Sequence, residues 1–180
     1  MNLSTANYSG AIAEKYIPAL NAVTALTGLK ILMLSHTIME GFKPGTVSYR
    51  TNNPGNIGTD TISGNIRPYA TLSLGVAAQA NQMQRNLDGK SRLYKPTMTL
   101  AQYIGVYAPA NHNNVNNYVN SVISTFKKQG FLINANTTFA EIANIEKKKF
   151  SNNSRRKFES QFVGWGNFGN NIRNLFTSKK

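Results

Sequence analysis

The chain contains no cysteine, which excludes disulfides and thiolate metal sites. Acid is almost as scarce: 7 Asp and Glu stand against 20 Lys and Arg. Glu14, Glu40, Asp60, Asp88, Glu141, Glu146 and Glu159 are the whole supply of carboxylates. There are two histidines, and His36 has no second histidine near it in sequence, so a zinc site is not expected and neither is any cofactor. No stretch of 18 apolar residues is free of charge, because Lys15 and Lys30 bracket the best one; a membrane-spanning helix is not expected. The first twenty residues lack both a basic n-region and a continuous apolar run, so they do not read as a standard signal peptide. Internal repeats are absent.

What is present is enough for a core. Apolar residues make up 41% of 180, and no long charge block precedes residue 147, so one domain over 1–146 is expected, followed by a basic tail over 147–180. The net charge of +13 favours anionic partners such as nucleic acid, anionic lipid or the acidic polymers of a bacterial envelope. No nucleic-acid-binding motif accompanies it, so no specific nucleic acid is expected as partner.

The most informative stretch runs from Leu29 to Gly58. Leu29, Leu32, Met33, His36 and Glu40 fall on one helical face, with Thr27 as the expected N-cap and Gly41 as the expected C′ residue. Glu40 therefore continues an apolar stripe at the helix end. Partial burial disfavours the charged form of a carboxyl group, which suits a general acid near neutral pH. Glu is also disfavoured in a last turn, where the helix dipole is negative. His36, one turn earlier on the same face, has two readings: a packed core histidine or a hydrogen-bond partner of Glu40. After the helix come a Gly/Pro turn and an amide-rich loop, Asn52-Asn53-Pro54-Gly55-Asn56. Such amides offer donors and acceptors to sugar hydroxyls and N-acetyl groups, although Asn-Pro-Gly is also ordinary turn chemistry.

In order and residue type, Glu40-Gly41-Phe42, a short spacer and then Arg50-Thr51-Asn52-Asn53-Pro54-Gly55-Asn56-Ile57 resemble the lysozyme-like muralytic enzymes. That superfamily includes lytic transglycosylases, cell-wall glucosaminidases and virion-associated phage proteins. The resemblance continues through Arg67-Pro68-Tyr69 with Ser73-Leu74-Gly75, and through Tyr107-Ala108-Pro109-Ala110-Asn111 with Asn117-Tyr118-Val119. It covers about residues 28 to 126 and does not reach the tail. It implies an α+β, mostly helical fold with a small strand and loop lobe, and an enzyme cleaving the β-1,4 glycosidic bonds of peptidoglycan as hydrolase or transglycosylase. It implies Glu40 as the acid, with Asn52, Asn53, Asn56, Tyr69 and Tyr107 at the sugar. Here Gly41 stands where Ser commonly follows the acid in these families. An enzyme of this kind without its own signal points to a virion, host lysis or entry, and action at the periplasmic cell wall.

Glycoside cleavage needs an acid and then a second carboxylate or the substrate's own N-acetyl group. Asp60 is the sole carboxylate of the expected lobe and so the one sensible second group; its other reading is a turn residue. Val47, Tyr49, Ile57, Ile62 and Ile66 are expected to supply short strands. Helices follow: from Thr71 or Ser73 to about Leu87, from Thr99, from Asn113 or Asn114 to Gln129, and from a Thr138–Glu141 capping box. In the tail, Phe158, Phe162, Trp165, Phe168, Ile172 and Phe176 keep a helical period among cations such as Lys157 and Arg173. Lys157, Phe162, Trp165, Phe168 and Arg173 form either a docked terminal helix or a basic amphipathic anchor to an anionic membrane or a capsid protein. The leading alternative overall is a non-catalytic structural virion or membrane-binding protein that retains the fold.

Overall fold

Helix α2, Lys30–Met39, is the axle of the molecule: every residue from Lys30 to Thr37 is buried. A helix buried on all sides belongs inside a bundle rather than on its surface. The computed structural model describes residues 2–23, 28–58, 65–108 and 114–148. Residues 2–147 form one compact unit. Asp60 and the tail residues Lys157, Phe162, Trp165, Phe168 and Arg173 lie outside the described residues.

Around α2 the caps place the other helices. A π-helical turn, Ile12–Tyr16, runs without a break into α1, Ile17–Ala22, where Pro18 has no N–H to bond the preceding turn. Helix α3, Val47–Arg50, is a single turn. Helix α4, Leu72–Leu87, starts at Thr71, whose hydroxyl accepts from Leu74 N. Helix α5, Leu100–Tyr107, has a capping box between Thr99 and Gln102. Helix α6, Val115–Lys128, starts at Asn114 and buries Tyr118, Val119, Val122, Thr125 and Phe126, close to its apolar period. The last helix among the described residues, α7, runs from 139 to 148 behind the expected Thr138–Glu141 box. Helix α2 packs against α6 and α4, α6 against α5, and α1 against α4.

Two expectations need correction. The N-cap of α2 is Leu29, in the left-handed region with φ 66° and no side-chain cap. Thr27 lies outside the described residues. Among the described residues, which do not include Ile62, the expected strand lobe is not a sheet. Val47 and Tyr49 belong to α3, and among the described residues the segment after it holds one isolated antiparallel bridge, Gly58 to Ile66. The one other bridge joins Thr99 and Thr138. The described chain is thus mostly helical with almost no strand. Tertiary context overrides the β-preference of Val47 and Tyr49: Thr46 accepts from Tyr49 N as an N-cap, and the Tyr49 ring lies against buried Phe42, 5.2 Å between centroids.

Candidate active site at the end of the central helix

Glu40 is the C-cap of α2, and its position follows from the chain around it. Gly41 takes φ +66°, and its N–H bonds Ile38 O while Phe42 N–H bonds Thr37 O. Those two bonds make a Schellman ending, in which glycine at C′ relieves the strain of a left-handed residue. Phe42, at the next position, is 3% exposed and fixes the exit of the chain. The end of the helix is held firmly, and the Glu40 side chain leaves it half-buried.

Two side chains from distant segments meet the carboxyl group. Asn56 Nδ2 donates to Glu40 Oε2, and the Tyr107 hydroxyl donates to Glu40 Oε1 at 2.9 Å. Tyr107 OH also lies 3.5 Å from Gly55 O, so the tyrosine touches both the acid and its loop. Burial, and then the nearby Glu40 carboxylate, hold the Tyr107 hydroxyl well above the usual phenol range. It stays a donor at any ordinary pH. Asn56 Oδ1 is buried and accepts no hydrogen bond among the described residues.

The loop is braced from within. Asn53 is 0% exposed; its Nδ2 donates to Ile57 O and Arg67 O, each at 2.8 Å, and its Oδ1 accepts from Ile57 N at 2.9 Å. It spends both donor hydrogens and its carbonyl on the loop, so its expected role at the sugar is corrected to that of a staple. Asn52, at φ 52°, donates to Tyr69 O at 3.0 Å and Ala70 O at 3.5 Å. Its carbonyl also lies where a Cβ on Gly75 would sit, 1.8 Å away, so only glycine lets α4 come this close to the loop. Beneath the loop, buried Gln79 accepts from Tyr16 OH at 2.8 Å and donates to Thr37 Oγ1 at 3.3 Å. Tyr69 is half-buried; its amide bonds Thr51 O at 2.8 Å, and it lines a groove on whose wall Glu40 does not lie.

His36 does not bond Glu40. It is 1% exposed, neither ring nitrogen has a partner among the described residues, and its ring lies 4.1 Å from that of Tyr107. Tyr103 and Tyr118 complete an aromatic surround at 5.6 and 6.1 Å. Burial pushes its pKa down to about 3, so the ring is neutral and acts as a flat packing element behind Tyr107.

Glu146 has a structural role that its place in the sequence was not expected to give it. This α7 residue is 0% exposed, and its two oxygens lie 3.2 and 3.4 Å from Ile31 N, so it caps α2 from across the bundle. Burial pushes its pKa up to about 8, opposed by the backbone N–H groups at the start of α2 and by the Lys30 ammonium. A signal existed: Phe139, Ile142, Ala143 and Glu146 share one helical face, and a lone acid on an apolar face is a buried acid.

A groove of about 890 Å³ lies beside the loop, lined in part by Ile57, Tyr69, Arg67 and Arg85; Glu40 is not on its wall. No group of three or more His, Cys, Asp or Glu able to hold a metal exists among the described residues. No helix among them is long and apolar enough to cross a membrane. Set beside protein-family models, curated proteins and solved structures, the chain has no match in any of the three.

Proposed function

We propose that this protein is a lysozyme-like muralytic enzyme that cleaves the β-1,4 glycosidic bonds of peptidoglycan, with Glu40 as its acid. The observation that carries this reading is the pair of side-chain donors, Asn56 and Tyr107, that hold the two oxygens of one half-buried carboxyl group. An ordinary helix-terminal Glu faces water. This one sits where the dipole opposes its charge and is aimed by a loop and by α5. The ordered resemblance from Glu40 to Tyr118 gives the reaction class.

In this mechanism protonated Glu40 donates its proton to the leaving glycosidic oxygen as the C–O bond breaks. The substrate's 2-acetamido group or 6-hydroxyl then supplies the electrons at the anomeric carbon. The Glu40 carboxylate takes a proton back, from water in hydrolysis or from the 6-hydroxyl in transglycosylation. Asn56 and Tyr107 orient the carboxyl group through both steps. The site of action would be the cell wall, with a virion as the carrier and the tail as an anchor to membrane or capsid.

The test is release of soluble muropeptides from purified peptidoglycan, with products weighed by mass spectrometry. Glu40→Gln, which keeps the shape and removes the proton, is expected to lower the rate by about 100-fold or more while unfolding at the same temperature as wild type. Anhydro ends would mark a transglycosylase, and reducing ends a hydrolase. A wild-type protein inert on several peptidoglycans would overturn the reading and favour the structural virion protein. One feature leans to that alternative: both Glu40 oxygens are already engaged, so substrate must displace or share a donor.

A further inference from the structure

The groove beside the loop has a chemistry that neutral sugar does not need. Among the described residues its wall carries four cations, Arg67, Arg85, Lys90 and Arg92, and no carboxylate. Lys90 is paired with Asp88 at 3.1 Å. The three guanidinium groups make no hydrogen bond or ion pair among the described residues, and all three side chains are exposed. Like charges gathered on one concave wall repel one another and gain only when an anion enters. Arginine forks match carboxylate oxygens in pairs, whereas sugar hydroxyls are met as well by amides.

The groove is continuous with the acid's own loop. Arg67 N bonds Ile57 O at 2.9 Å, and Ile57 directly follows Asn56, the donor to Glu40. The carbonyl of Tyr69, also on the groove wall, is held by Asn52. The loop that holds the acid through Asn56 thus also supplies Ile57 to the groove wall. We propose that the groove seats the anionic arm of the substrate, the free carboxylates of short peptides carried by the glycan strand. This rests on the reading of Glu40 as a glycan-cleaving acid and narrows its substrate to peptide-bearing strands. A neutral glycan would leave the arginines without a partner.

The experiment compares glycan strands bearing their peptides with the same strands stripped by an amidase, for wild type and for the Arg85→Gln/Arg92→Gln double variant. Wild type is expected to favour peptide-bearing strands by about tenfold in kcat/KM, about 1.4 kcal/mol, as screened ion pairs to exposed arginines allow. In the double variant that ratio falls to about one, and in wild type it shrinks as salt is raised. A ratio near one in wild type, or unchanged by the double substitution, overturns the proposal while leaving Glu40 as the acid. A second arm does not depend on catalysis: binding of a fluorescent peptide-bearing strand fragment to Glu40→Gln protein, with and without the arginine substitutions. If wild type cleaves nothing yet the fragment binds through the arginines, the anionic groove stands and the enzymatic reading falls. If single-stranded DNA of equal charge binds in the groove and the fragment does not, the groove belongs to a nucleic acid and the proposal fails.

Discussion

The two ends of α2 each carry a glutamate, one held mainly by backbone and the other by side chains. At the N-terminal end Glu146 reaches across from α7 and is fully buried, and backbone N–H groups are its main partners. At the C-terminal end Glu40 belongs to the helix itself, is half-buried, and its partners are side chains of a loop and of α5. The dipole favours the first carboxyl group and opposes the second. A carboxyl group satisfied by backbone and sealed from solvent can only hold structure. One that side chains hold at a partly open loop stays within reach of solvent.

That contrast is breakable. Glu146→Ala leaves the first turn of α2 uncapped in the core and opens a cavity, so a loss of about 3 kcal/mol is expected from equilibrium unfolding in denaturant. Any muralytic activity per folded molecule should survive. The same residue gives stability a pH slope of definite sign. Its folded pKa of about 8 lies above the ordinary 4.5, so between the two the folded chain keeps a proton that the unfolded chain has released. The contribution is whole below about 4.5 and fades as pH rises toward 8. Glu146→Gln, which cannot ionise, should flatten this part of the melting-temperature profile; an equally steep profile would show that the slope arises elsewhere.

At the other end the effects should be on rate. Tyr107→Phe keeps the ring on His36 and removes one donor to Glu40, so about a tenfold fall in kcat is expected with less than about 1 kcal/mol lost in stability. A fall in stability without a fall in rate would make Tyr107 a core residue only. The smallest effect belongs to His36. With neither ring nitrogen bonded, His36→Phe exchanges a desolvated polar ring for an apolar one of similar shape, and stability should be unchanged or higher by about 1 kcal/mol. Because His36 is already neutral above pH 3 or so, the same variant should not move the pH–rate profile between 5 and 8.

The local signals were legible wherever a short-range rule applies. Thr71, Thr99, Asn114 and the Thr138–Glu141 box start helices where capping chemistry predicts, because a cap needs only residues within one turn. Gly41 ends α2 for the same reason. The strands expected at Val47 and Tyr49 failed because β-propensity describes fit to a pleated neighbour, and here the neighbours are Thr46 as a cap and Phe42 as a packing surface.

Sequence by itself determined that the chain builds a helical body, that an apolar helix ends in a glutamate, and that an amide-rich turn follows. Periodicity, caps and turn residues act over a few positions, so one dimension suffices to read them. Only tertiary structure decided which amide does what. Asn53 and Asn56 are alike in sequence, yet one staples the loop and the other holds Glu40, since Asn53 is 0% exposed beneath two chain segments. Nor could spacing reveal that Glu146 caps a helix 115 residues away, or that Arg67, Arg85 and Arg92 share one groove. Those relations are made by packing, which joins segments without regard to distance along the chain; for Glu146 the cost of burying an unpaired polar group selects the partner.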